Sequence, residues 1–398
     1  MLERLIRIDW TKLEHAHGPA TDVPPLIRAL AADDAAIRAR ALARLNETIW
    51  QQGAVFQATA SAVPFLVEVA AEPGVPDRGG VVLLLARIAT GGALLDVHSD
   101  RFLEGADTPA LRARRQRERG WARTATEAVE QGTLTNLKLL YDADVQVRIA
   151  VPYLLAALPT QAVYTVPALD KRLGESGEPR VRASVLLALG ALASPSPEAL
   201  QQLSAIIIAE NPPLVKLAAA GTLALLERER TPPAAAALLA EAIAQPDPKV
   251  LALYGQLPWC KSGLVGDLAA TFAWLGPEVG GFAVPLLCRA LGAVGLEDPG
   301  TTGEAAPQGG SGGSGPIGAD HSAVLNLVHA LLRIAFGDRS RSRPLILARL
   351  SEHQRIALTA IAQADAIWRH SAAVTALLGA LGLPNTRAAL RQSLQLPV

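Results

Sequence analysis

Two cysteines in 398 residues, Cys260 and Cys288, are the first scarcity. Neither lies in a CxxC pair, and one possible pair makes no disulfide framework, so the fold must hold without cross-links. That usage fits a reducing compartment, and a cytoplasmic location is expected. Aromatic residues are only 4% of the chain, and β-branched or aromatic runs at strand spacing are scarce, which excludes a sheet-built core. A surplus of one charge is also missing. Lys plus Arg and Asp plus Glu are 37 each. A dedicated nucleic-acid binder carries a basic excess, so phosphate binding over the whole surface is disfavoured, although one local basic patch is compatible with zero net charge. The longest apolar stretches, such as Ala183 to Ala193, fall short of the roughly 20 residues of a spanning helix. The opening segment carries Glu3 and Asp9 and no long apolar core, so it does not read as a signal peptide. Nor is there a P-loop, a GxGxxG after a strand, an HExxH, an EF-hand or a CxxC pair.

What the sequence has is apolar mass in a helical pattern. Half of its residues are hydrophobic, with Ala and Leu prominent, which favours helices throughout and leaves ample material for a core. Two phrases recur. Val-Pro-x-Leu occurs at Val23–Leu26, Val63–Leu66, Val166–Leu169 and Val284–Leu287. Each is expected to open a short apolar helix, where proline's missing N–H costs nothing. A further copy, Val151–Leu154, falls at another phase and reads as a coincidence or as a kink within a second helix. The other phrase is an acidic residue followed three and four places later by Val or Ile and Arg: Asp34 to Arg38, Asp144 to Arg148, and Glu178 to Arg182. Weaker forms place Lys216 and Leu251 in the arginine slot, so positions 148, 182, 216 and 251 are separated by 34, 34 and 35 residues. A fixed period of this length signals stacked helix pairs. The acid suits the positive end of the second helix in each pair. The arginine can reach an acid of the adjacent turn, which would make a ladder along the stack. One pair alone cannot bury its apolar face, so pairs must pile on one another.

On these phrases the chain resembles the HEAT-repeat family, clearly over residues 20 to 260 and more loosely over 280 to 398. The stretch Gln51 to Ala60 is also similar to uncharacterised bacterial HEAT-repeat proteins. The resemblance implies an all-α fold, a right-handed α-α superhelix or armadillo-like solenoid of antiparallel pairs, and names no activity. The expected organisation is a cap at 1–20 and repeats over 21–291, with a charged insertion at 92–131. A flexible Gly/Ser-rich loop at 292–320 and C-terminal repeats with a cap at 321–398 complete it.

Several residue groups could carry chemistry. His15 and His17, with Asp9 and Asp22 nearby, have metal-ligand types. On a helix, however, residues two apart point about 200° from each other, and no third ligand is fixed by spacing. A capping loop is the simpler reading. Asp96, His98 and Ser99 hold an acid, a base and a hydroxyl, but catalytic triads are assembled from distant segments. That loop, with His98, Asp100 and Arg101, is better read as a surface that contacts a ligand. The arginine run Arg112, Arg114, Arg115, Arg117, Arg119 and Arg123, with Trp121 inside it, offers forked contacts to carboxylate or phosphate. Arg112, Arg115, Arg119, Trp121 and Arg123 are therefore the candidate binding residues, together with His98, Asp100 and Arg101. The remaining tryptophans read as core or cap packing, and Cys260 as a structural thiol.

No catalytic residue, metal or cofactor is expected. The reading is a non-catalytic scaffold presenting a concave helical surface to a protein partner, with no membrane contact. Two alternatives follow from the family resemblance. Some HEAT-like proteins grip nucleic acid as DNA glycosylases do, and others act on small molecules as lyases.

Overall fold

The computed structural model describes residues 2–98, 108–192, 196–209, 211–294, 317–337, 350–368 and 371–396, without the side chains of 317–322, 366 and 371. The Gly/Ser run at 309–315, Asp100 and Arg101 lie outside the described residues. The described chain is helical almost throughout, and its strands are two hairpins of two-residue arms. It forms two compact units divided after Leu192.

In the first unit the helices are α1 (Val23–Ala29), α2 (Ala35–Thr48), α3 (Thr59–Ala71), α4 (Arg78–Ala89), the short α5 (Leu94–Val97), α6 (Pro109–Gln131), α7 (Thr133–Lys138), α8 (Val145–Ala156), α9 (Ala162–Glu175) and α10 (Pro179–Leu192). They pair as the repeat predicts: α1 with α2, α3 with α4, α9 with α10. The second helices α4, α8 and α10 pack directly on one another, and α6 lies along α3 and α4 in the layer of first helices. Leu84, Leu85 and Ile88 of α4, with Ile149, Leu154 and Leu155 of α8, are shielded from solvent. Each such side chain contributes about 1.5–3 kcal/mol when removed from water. Small residues set the spacing. Ser184 of α10 is buried and its hydroxyl donates to the Ile149 carbonyl at 2.8 Å. A Cβ at Gly79 would stand 3.2 Å from the Gln146 backbone, so a larger residue there would push α4 and α8 apart by a few tenths of an ångström.

Polar contacts lock the turns between the helices of a pair. Asp34 caps α2 by accepting from the Ala36 and Ile37 amides, and Asp144 caps α8 by accepting from Gln146. Arg38 donates to the Ala32 and Asp33 carbonyls of its own turn and reaches Asp77, which precedes α4. The next rung is buried. Arg78 donates to the Val75 and Ala70 carbonyls and holds both oxygens of Asp142, at 2.7 and 2.8 Å. Arg148 takes the Asp142 and Ala143 carbonyls, and its charge also bears on Glu178 of the following turn. Arg38 and Arg78 thus tie their turns to the next, while Arg148 locks its own.

One local expectation is corrected. Val-Pro-x-Leu opens its helix only in α1. In α3 and α9 the helix begins at Thr59 and Ala162, which places Pro64 and Pro167 inside it. In the second unit Pro285 lies inside its helix in the same way. One extra turn forms ahead of each proline, because buried Thr59, Ala62 and Thr165 pack there. Pro152 likewise sits inside α8. A second local feature, on which the sequence reading made no expectation, is a pair of hairpins, after residue 13 and after α2. β1 (Glu14–His15) pairs with β2 (Gly18–Pro19), and β3 (Trp50–Gln51) pairs with β4 (Ala54–Val55). Gln52 and Gly53 turn the second hairpin with φ of 49° and 94°, the conformation a tight two-residue hairpin requires.

The second unit contains α11 (Pro197–Ile208), α12 (Pro213–Glu227), α13 (Pro233–Ala244), α14 (Pro248–Tyr254), α15 (Gly263–Phe272), α16 (Gly280–Val294), α17 (Ile317–Phe336), α18 (Glu352–Gln363), α19 (Asp365–Trp368), α20 (Ser371–Ala380) and α21 (Arg387–Ser393). Again two layers form. Helices α13, α16 and α18 follow one another in one layer, and α15 packs on α17 in the other. Asp267 ties the turn before α15, accepting from the Lys261 and Ser262 amides and from the Ser262 and Tyr254 hydroxyls. No single helix among the described residues is long and apolar enough to cross a membrane.

The buried rung makes a sharp expectation. Arg78→Met leaves the Asp142 carboxylate facing a site without its counter-charge, and should cost on the order of 3 kcal/mol in urea unfolding. The Arg78→Met/Asp142→Leu pair should recover most of that loss. Burial alone would raise the Asp142 carboxyl, but the Arg78 hydrogen bonds, the Asp144 amide and the charges of Arg78 and Arg148 outweigh it and hold it below the usual carboxylate range. Its stabilisation is therefore complete above about pH 4 and fades as pH falls through the depressed folded value. A loss of similar size in the double variant would rule out this account of the rung.

Candidate functional site

The charged segment expected to interrupt the repeat is the long helix α6. Thr108 caps it by accepting from the Leu111 amide, and Pro109 occupies the first turn. Its buried stripe is Glu118, Ala125 and Val129. A glutamate only 3% exposed needs partners, and Glu118 has two: the Leu95 amide at 2.9 Å and the Arg114 Nε at 2.8 Å. The next residue of α6, Arg119, donates to both oxygens of Asp96, at 2.6 and 3.0 Å, and Arg115 approaches the same carboxylate at 3.4 Å. The Arg119 hydrogen bond, with the charges of both arginines, holds the Asp96 carboxyl below its ordinary value against a smaller opposing effect of burial. The short helix α5 is thus pinned to α6 through its two middle residues, Leu95 and Asp96.

This geometry sorts the predicted residues. Arg115 and Arg119 belong to the clasp around Asp96. Arg123 meets Glu127 loosely at 3.6 Å, and its side chain is 77% exposed. Arg112, Arg114, Arg117 and Arg119 also face solvent, and Trp121 is half-buried. His98 is half-buried at the end of α5, its amide bonded to the Leu94 carbonyl. Asp96 is committed to arginines, so it is not the orienting acid of a His98 general base. Asp100 and Arg101 fall outside the described residues.

The histidine pair is settled by its hairpin. His15 is buried, its Nδ1 accepts the His17 amide at 3.0 Å, and its Nε2 lies 2.7 Å from Asp22. The accepting Nδ1 places the ring proton on Nε2, which donates to Asp22. Both ring nitrogens are therefore occupied by protein. Among the described residues no group of three His, Cys, Asp or Glu side chains is arranged to hold a metal ion.

Most tryptophans are structural, but not all are covered. Trp10 is buried and donates to the Leu5 carbonyl, and Trp368 donates to Ile361. The Arg87 guanidinium covers Trp50, which follows α2 in β3. Trp274 is half in solvent beneath Arg228, a departure from the core packing expected of it.

One surface feature escaped the sequence reading. Leu134 and Val163 are 70% and 72% exposed, and Tyr164 is 59% exposed. All belong to the layer of first helices, in α7 and α9. Thr160 donates to Glu130, which brings the start of α9 to the C-terminal end of α6. The signal was helical phase. Thr165, Leu169 and Leu173 form the buried stripe of α9, and Val163 and Tyr164 lie off it. Nearby, Tyr141 is exposed too, but Arg172 stacks on its ring and its hydroxyl donates to Glu175.

Stacked helix pairs locked at their turns define an all-α repeat solenoid. A family of HEAT repeats matches residues 134–224, so that stretch carries repeats of the HEAT kind. No curated protein matches the chain. A solved structure of an engineered protein is similar at 18% identity, covering 94% of this chain and 97% of that one, with a TM-score of 0.31. So low a score leaves the fold resting on the stacking itself.

Two outcomes test these assignments. Glu118→Ala strands the buried Leu95 amide and should cost about 1–3 kcal/mol, whereas Asp96→Ala, in a partly exposed clasp, should cost less than about 1 kcal/mol. Equal costs in chemical denaturation would contradict the division. Both thiols should alkylate slowly at neutral pH. Burial, reinforced by Asp267, pushes the Cys260 thiol up, and burial alone takes Cys288 to about 11. Rates should still be climbing above pH 9, and a plateau near pH 8 would refute the shift.

Proposed function

We propose that the chain is a non-catalytic scaffold that binds a protein partner. The observation that carries this reading is the exposure of Leu134, Val163 and Tyr164 within one short stretch of helical layer. Large apolar side chains left exposed on successive elements of one layer are read as an interaction surface. HEAT repeats suit that role, because stacked repeats create extended binding surfaces. The ladder of arginines and acids keeps the face rigid and is not itself available for contact. The candidate binding residues divide accordingly. Arg117 and Arg123 are presented outward, while Arg115 and Arg119 are engaged by Asp96. The sequence reading placed the partner on a concave face lined by second helices, whereas these exposed side chains belong to the layer of first helices.

The test is capture from lysate of the source cell, with and without nuclease. The native chain should retain a protein that the Leu134→Ala/Val163→Ala/Tyr164→Ala variant does not, with nuclease making no difference. The three side chains are exposed, so circular dichroism should be unchanged. Retention of nucleic acid alone, or of nothing by the native chain, overturns the reading.

A further inference from the structure

Arg38 and Arg148 occupy equivalent places. Each follows, by four residues, the aspartate that caps its helix: Asp34 for α2 and Asp144 for α8. Each turns Nη1 onto the carbonyls six and five residues back, Ala32 and Asp33 for Arg38, Asp142 and Ala143 for Arg148. Both guanidinium groups are therefore fixed in the same way, which leaves the Nε–Nη2 edge of each for another acceptor. In Arg38 that edge holds Asp77, with Nε at 2.8 Å and Nη2 at 2.7 Å. In Arg148 the Nε is shielded from solvent and meets no acceptor among the described residues. Acids stand near, but each is engaged. Asp142 is held by Arg78, Glu175 accepts from the Tyr141 hydroxyl, and Glu178 accepts from Nε of Arg180 at 2.9 Å.

The turn that follows α9 adds two more donors. Ser176 is 8% exposed, and its hydroxyl finds no partner among the described residues. It stands six residues before Arg182, as Asp142 stands six before Arg148, so a hydroxyl takes the place of the carboxylate that receives Arg78. Arg172, whose carbonyl accepts the Ser176 amide, also keeps a shielded Nε without a partner among the described residues. Its guanidinium lies over Tyr141, 5.2 Å from the ring centre, and Tyr141 adjoins the Asp142 carbonyl that Arg148 holds. Residues 139–144 and 172–178 thus face each other. A donor buried without an acceptor is costly, and an oxygen-rich anion satisfies two guanidinium edges and a hydroxyl together. We propose that these facing turns bind a small oxyanion of the phosphate class, held by the forked edge of Arg148, by the Ser176 hydroxyl and by Arg172. Arginine forks match phosphate as they match carboxylate, and three donors from separate residues suit the several oxygens of a tetrahedral ion better than the two of a carboxylate. The ion ties the α8 turn to the α10 turn, as Asp77 and Asp142 tie the turns before it. This inference is independent of the scaffold reading.

Calorimetric titration of the full chain with inorganic phosphate, at an ionic strength held constant with chloride, measures the site. A single ion should bind per chain, and low millimolar phosphate should raise the melting temperature by at least about 2 °C. Ser176→Asp places a carboxylate where Asp142 stands in the preceding turn. This variant should melt higher than the native chain in chloride alone and bind phosphate at least about tenfold more weakly, because its own acid takes the Arg148 fork. Arg148→Gln should lose phosphate too, but it also frees the Asp142 and Ala143 carbonyls. Ser176→Asp therefore carries the decision, since damage to the fold cannot raise the melting temperature. O-phosphoserine titrated under the same conditions separates two sources of the anion. Tighter binding of phosphate supports the free ion, and tighter binding of O-phosphoserine supports a monoester in the same site. Exclusion of phosphate from the protein surface would stabilise native and variant chains alike. Equal melting shifts in the two chains, no phosphate effect beyond that of chloride, or a Ser176→Asp variant that melts lower or keeps native affinity overturns the proposal.

Discussion

Everything in the first unit depends on how the turn between two helices of a pair is held to the next turn. Burial of leucines is strong but has no direction, and one helix layer could slide over another without losing much of it. Arg38, Arg78 and Arg148 remove that freedom. Each bonds backbone carbonyls of its own repeat, and the first two also hold an acid at the next turn, so the register of each pair is read by its neighbour. The Arg78–Asp142 pair need not add net stability over a well-packed apolar replacement. It favours one register of stacking, because any slipped register would leave a buried charge alone.

Arginine suits this task and lysine does not. A guanidinium spreads donors over a rigid fork, so Nη1 of Arg38 can serve two carbonyls while Nε serves Asp77. An ammonium concentrates its donors at one point. The same device recurs in the second unit, where Arg387 joins the carbonyls of Ala362 and Gln363 to Asp365. Where the periodic slot holds Lys216 or Leu251, other contacts take over. Asp247 still caps α14 by accepting from Lys249, and the following turn is organised by Asp267.

Much of the architecture was legible because the repeat is written in residue types that act locally. An acid at a helix start and an arginine four places on do the same thing wherever they occur, so Asp34, Asp144 and Asp247 cap as expected. The ladder was foreseen in kind, but its buried rung was not. Arg78 and Asp142 are separated by a long insertion, and no periodic spacing connects them. The two hairpins were hidden for a different reason. Gln52-Gly53 lacks the asparagine or aspartate that usually announces such a turn, and Ala-His-Gly conceals the other. The starts of α3, α9 and α16 were misplaced because the missing N–H of proline was taken as a boundary. Packing of Thr59 and Thr165 tolerates one unmade hydrogen bond instead.

The candidate site shows why composition alone misjudged the arginine run. Counted along the sequence, the six arginines are equivalent. The helix separates them by phase: some face α5 and its carboxylate, and others face solvent. A residue's period relative to Glu118, Ala125 and Val129 thus decides whether its charge is structural or presented. Charge reversal at Arg115 and Arg119 would first break the clasp on Asp96, so a binding defect there would say nothing of a partner. Reversal at Arg117 and Arg123 leaves the clasp intact, and only a defect there can be assigned to the surface.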